Sequence, residues 1–108
     1  MREFIQVITT TESRADAEKI ARVLVEKRLA GCVQILGPVT STYWWKEKIE
    51  MAEEWFCLIK TSKDIYQNVE SEILRVHPYK VPEILAIPVI GGSRDYLSWL
   101  DSELKTVK

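Results

Sequence analysis

The chain has 108 residues, 46% of them hydrophobic and 29% charged, enough for one compact domain spanning residues 1–108 that needs no metal or disulfide merely to fold. Fifteen basic against sixteen acidic side chains give a formal charge of -1, and the scattering of both signs argues against nucleic-acid or anionic-membrane partners. No stretch approaches the roughly 18 apolar residues of a membrane-spanning helix, and the first residues lack a leader pattern, so a cytoplasmic location is expected.

Residues 3–9 (EFIQVIT) are rich in β-branched and aromatic side chains and predict a first strand. Ala17, Ile20, Ala21, Leu24 and Leu29 then recur near helical spacing, with Ser13 as N-cap and Gly31 as the stop, predicting a helix over 13–29. Cys32 opens a second strand that bends at Gly37-Pro38 and continues over residues 39–49, the pair marking a bulge. The acidic run at residues 50–53 reads as a hairpin turn and residues 54–61 as the third strand. Thr61 and Asp64 offer a cap for a second helix, whose stripe of Ile65, Val69, Ile73 and Val76 stops before Pro78. Residues 83–89 form a fourth strand, placed at an edge or strand end because Pro88 cannot donate to a ladder. Gly91-Gly92-Ser93 leads into a closing helix that buries Tyr96, Leu97, Leu100 and Leu104. The order β-α-β-β-α-β-α predicts an α+β, ferredoxin-like split β-α-β fold: an antiparallel sheet with a long β-hairpin and both main helices on one side.

Such a fold hosts unrelated functions, so the sites decide. The loop after the first strand, Thr9-Thr10-Thr11-Glu12, has no thiolate pair to hold Cu(I). The third strand carries aromatics without the glycines and basic context of an RNA-binding strand. Glu12 has the wrong sign for a phosphate cradle, although Arg14 leaves a small anion site open. His77 is the one histidine and neither cysteine has a base nearby in sequence, so no nucleophile and base pair emerges and an enzyme is not expected. Cys32 and Cys57 lack any CxxC spacing and read as ordinary buried thiols, with mutual pairing as the alternative.

Two segments stand out. Tyr43-Trp44-Trp45 puts large rings on both faces of the second strand, because successive strand residues point in opposite directions. Either one face lies under the closing helix against Trp99, or, the reading preferred, the ribbon overhangs its sheet and docks on another subunit. In His77-Pro78-Tyr79-Lys80-Val81-Pro82-Glu83, two prolines stiffen the loop and hold an imidazole and a carboxylate that suit a divalent ion such as Zn, Cu(II) or Ni. The alternative is that His77 caps the helix and Glu83 pairs with a lysine.

His77-Pro78-Tyr79 with Pro82-Glu83, the Tyr43-Trp44-Trp45-Lys46 ribbon, Leu29-Ala30-Gly31-Cys32-Val33, Lys60-Thr61 and Tyr96-Leu97-x-Trp99-Leu100 together resemble the CutA family of divalent-cation-tolerance proteins. The resemblance runs from the first strand to the last helix. It implies a homotrimer of ferredoxin-like subunits, similar in architecture to PII signal-transduction proteins, with a role in tolerance of divalent metals, notably copper. Where some members carry a cysteine in the first strand this chain has Ile8, and where some have a histidine before the HPY motif it has Val76. A divalent metal would therefore rest on His77 and Glu83, joined by Cys32 or by a neighbouring subunit. The expected clefts combine His77, Tyr79 and Glu83 of one subunit with Lys60 or the Tyr43, Trp44 and Trp45 ribbon of the next. The alternative is a PII-like sensor or scaffold whose ligand is a small anion, held by Arg14 and Lys60, or a partner protein.

Overall fold

Phe4–Thr11 forms β1, Arg14–Glu26 α1, Cys32–Trp45 β2, Lys48–Ser62 β3, Tyr66–Val76 α2, Ile84–Pro88 β4 and Arg94–Glu103 α3. The structure, a computed structural model, describes residues 2–106. Its sheet runs β2-β3-β1-β4 with every neighbouring pair antiparallel, the predicted split β-α-β arrangement. Val7, Cys57 and Ile59 line one face and meet Ala17, Ile20 and Leu24 of α1 and Val69 and Ile73 of α2 in a fully buried core. Burial of such side chains contributes about 1.5–3 kcal/mol each.

Ser13 caps α1: its hydroxyl oxygen accepts from Asp16 N–H at 3.1 Å and its hydroxyl donates to Asp16 Oδ2 at 2.9 Å. The helix ends at Glu26, earlier than the spacing predicts. Leu29 N–H returns to Leu24 O at 2.9 Å and Arg28 N–H to Val25 O at 3.1 Å, a helix-ending pattern that puts Arg28 in the left-handed region at φ 60. Gly31 is thus not the stop; a Cβ there would meet Leu100 Cδ1 at 2.5 Å, so its smallness admits α3.

The hairpin turn also lies elsewhere than the acidic run suggests. Trp45 pairs with Lys48, and Lys46 and Glu47 turn the chain with φ 49 and 65. Residues 50–53 stay extended within β3, because a solvated ribbon tolerates carboxylates on its exposed faces. The predicted bulge is present: Leu36 pairs with Phe56 and Val39 with Glu54, so Gly37 and Pro38 together oppose Trp55. A Cβ on Gly37 would fall 2.8 Å from the Trp55 ring.

Thr61 does not cap α2. It points inward, its hydroxyl donating to Leu29 O at 2.7 Å, and a 3-10 turn at Lys63–Ile65 leads into the helix. Pro88 ends β4 at the sheet edge as predicted. Val89 N–H points inward to Phe4 O at 3.0 Å, so by alternation the donor Pro88 lacks would have faced the open edge. Leu100 of α3 and Leu104 just after it are buried, but Tyr96 is 42% exposed and packs its ring 5.6 Å from Trp99 instead of entering the core.

β1 pairs with β3 only from Trp55 to Ser62. Residues 39–45 and 48–54 therefore project as a two-stranded ribbon, and the molecule measures 45 Å along its longest axis against 26 Å and 22 Å across. Trp44 is 72% exposed and Trp45 54%, with Tyr43 exposed beside them. The closing helix does not cover them, and Trp99 partners Tyr96 instead.

Candidate binding site at the loop after α2

His77 ends α2, its N–H closing on Ile73 O at 2.8 Å, and Pro78 prevents another helical turn. The imidazole is buried against the end of β1. Its Nδ1 accepts from Tyr79 N–H at 3.1 Å, which leaves the proton on Nε2, donated to Thr10 O at 2.8 Å. Burial pulls the imidazole below its ordinary pKa, so the neutral tautomer that these two bonds require is the favoured one. The Tyr79 ring lies 4.9 Å from that of His77, and its hydroxyl donates to Glu54 Oε2 at 2.8 Å. Burial, followed by the bond to the Glu54 carboxylate, raises the pKa of that hydroxyl and keeps it protonated. A continuous chain of bonds thus ties β1 at Thr10 through His77 and Tyr79 to β3 at Glu54.

Of the residues expected in a site, His77 and Tyr79 come together and Glu83 does not join them. Glu83 is exposed and makes no ion pair among the described residues, with His77 or with a lysine. Lys60 donates to Gln34 Oε1 at 2.8 Å on the sheet face away from the helices. Arg14 stacks 5.5 Å over Trp55 and faces Glu18 at 3.8 Å on the helix side, so these two cations do not form one anion site. Cys32 and Cys57 are both free and alternate to opposite faces of the sheet. Glu54, which the sequence suggests only as the start of a strand, is the carboxylate that meets Tyr79. Its parity with Phe56 and Leu58 was the available signal: a charge at the end of an apolar row on one face.

Residues 5–103 match the family described as CutA1 divalent ion tolerance protein. The chain belongs to that family. The CutA protein of Archaeoglobus fulgidus, described as a periplasmic divalent cation tolerance protein, is 39% identical over 97% of this chain and 100% of its own length, and its structure matches with a TM-score of 0.89. The Cut A1 structure from Thermus thermophilus matches with a TM-score of 0.92 at 37% identity, covering 94% of this chain and 99% of that one. CutA1 from Oryza sativa matches with a TM-score of 0.95 at 29% identity, covering 98% and 97%.

A divalent ion is the group this CutA family membership implies, and the described residues of this chain do not fit it by themselves. Both ring nitrogens of His77 are engaged by the fold, so ligation would displace Thr10 O or Tyr79 N–H. Among the described residues no three His, Cys, Asp or Glu side chains are grouped to hold a metal. Ile8 pairs with Leu58 and Leu85, and Val76 packs against the core, so the two positions at which the resemblance implied possible ligands are apolar here.

Proposed function

We propose that this CutA-family chain works as a homotrimer in tolerance of, or response to, divalent metals including copper, binding a cation or small ligand where subunits meet and catalysing no reaction. The carrying observation is the aromatic ribbon. A two-stranded ribbon in water is marginal on its own, yet this one exposes Trp44, Trp45, Ile49 and Met51. Rings of this size supply most of the energy of protein interfaces, and the Glu54–Tyr79–His77 chain of bonds sits at the ribbon's base, where a docked neighbour would close over it. Both sheet edges, β2 and β4, are also open to strand addition. Any divalent ion held by His77 or Glu83 would draw its remaining ligands from the neighbour.

A second reading is a PII-like scaffold that binds a small organic ligand or a partner protein, its link to metals being indirect. The engaged nitrogens of His77 support it. The free thiols suit a reducing, cytosolic location, which subcellular fractionation checks against the periplasmic description of the Archaeoglobus relative. Sedimentation with and without Cu(II) and Zn(II), with calorimetric titration of the wild type and of His77→Ala/Glu83→Ala, tests both. A trimer whose stoichiometric metal uptake vanishes in the double variant supports the metal site; a trimer indifferent to metal supports the scaffold; a monomer at micromolar concentration overturns both.

A further inference from the structure

Glu54 is the one acidic side chain buried among the described residues, 9% exposed. Its Oε2 accepts from Tyr79 Oη at 2.8 Å, and no Lys or Arg of the described residues pairs with it. Oε1 has no partner. It is not sealed in either, because Thr9 Oγ1 is the only buried side-chain polar atom of the described residues that lacks both a partner and access to solvent. A carboxylate taken out of water without a cation is costly, and buried charges are ordinarily paired.

Its surroundings are aromatic. The Tyr79 ring lies 4.9 Å from that of His77, tilted 48° to it, and Tyr43, opposite Glu50, is on the same sheet face as Glu54. Tyr79 Oη spends its proton on Glu54 and keeps a lone pair free to accept. A carboxylate, a phenol lone pair and aromatic rings nearby match an ammonium or guanidinium group, whose charge is attracted to aromatic faces as well as to carboxylates. A hard divalent ion instead wants several oxygen ligands, and the described residues group no three acidic or histidine side chains.

We propose that Glu54, with the Tyr79 hydroxyl against it, binds the ammonium or guanidinium group of an organic cation. The proposal rests on reading this loop as a ligand site between subunits and names the chemistry of the ligand. Two sources share that chemistry: a free small amine, and a lysine or arginine of a second copy of this chain.

The test titrates n-butylammonium, with n-butanol as the uncharged control, into the wild type, Glu54→Gln and Glu83→Gln, and measures self-association of all three by sedimentation. Saturable binding of n-butylammonium but not n-butanol, weakened about 10- to 100-fold in Glu54→Gln and unchanged in Glu83→Gln, supports a site for free amines. No amine binding, with the subunit dissociation constant raised about tenfold or more in Glu54→Gln alone, supports a side chain of a second copy. Should Glu54→Gln fail to fold, NMR shifts of Tyr79 and His77 in the wild type on adding n-butylammonium, absent with n-butanol, support the proposal, and their absence in a wild type that also stays monomeric over a concentration series overturns it. Neither amine binding nor weakened association in a folded Glu54→Gln also overturns it. A trimer that takes up Cu(II) stoichiometrically, yet binds no n-butylammonium and associates equally with and without Glu54→Gln, overturns this inference and leaves the proposed function standing.

Discussion

The Tyr79 hydroxyl reaches across from the loop after α2 to Glu54 on β3, 2.8 Å away, and is the only hydrogen-bond donor to that carboxylate among the described residues. Tyr79→Phe keeps the ring against His77 and removes only this bond. A hydrogen bond to a charged group contributes about 1.5–3 kcal/mol, and its loss leaves a buried carboxylate without a partner. The variant should lose stability by about that amount at neutral pH, read from urea midpoints at fixed protein concentration. An unchanged midpoint would show that Glu54 finds water or another donor as good as Tyr79.

His77 makes the same loop sensitive to acid. Its folded pKa lies below the ordinary 6.5 because burial disfavours the charged ring. The unfolded chain therefore binds its proton first. Stability from this group is fully present above about pH 6.5 and is lost as pH falls from there toward the folded pKa, at a slope of at most about 1.4 kcal/mol per pH unit. Protonating Nδ1 also removes the acceptor for Tyr79 N–H. Urea midpoints should be flat from pH 7 to 8 and fall between pH 6.5 and 5. His77→Gln, which cannot titrate, should flatten that fall; an equal fall in the variant would assign it to carboxylates.

Periodicity made the order of elements, the edge position of β4 and the bulge at Gly37-Pro38 legible in the sequence, because each follows from local chemistry: alternation, a missing donor, a turn-forming pair. The turn at Lys46 and Glu47 was not legible. Neither residue favours the left-handed region it occupies, while the acidic run beside it has the composition of a turn. The helix stop shifted for the same reason, since Arg28 takes a conformation ordinarily given to glycine. In the candidate site, the stiff loop singles out His77 and Tyr79, which the structure brings together. It paired them with Glu83, nearest in sequence, when β3 brings up Glu54 from 25 residues away. That contact depends on sheet register, which the local pattern around residue 54 does not reveal.

Thr9 carries a different kind of polar burial. Its hydroxyl oxygen sits in the core with no partner, opposite Cys57 on β3 and under α1, where a methyl group would serve as well. A buried hydroxyl without a partner costs about 1–3 kcal/mol. Thr9→Val keeps the shape and removes that cost, so it should raise stability by about 1 kcal/mol, seen as a higher urea midpoint with an unchanged slope. A loss of stability would mean that an internal water or the Cys57 thiol satisfies Thr9 in solution.

Trp44 separates the ribbon's two roles. It pairs with Ile49 across the ribbon and lies 72% exposed, and no other element among the described residues covers it. Trp44→Ser therefore removes little packing within one subunit, and the circular dichroism of the isolated chain should hold. If the ribbon docks on another copy, the same change removes an aromatic anchor, and such anchors cost 2 kcal/mol or more when truncated. That corresponds to a rise of about 30-fold or more in the subunit dissociation constant, measured by sedimentation over a dilution series. Lys48→Ala, beside it but on the opposite face of the ribbon, provides the comparison, since an exposed lysine contributes little to such contacts. Equal association in both variants would place the contact surface away from the Trp44 face and leave that ring without a role in assembly.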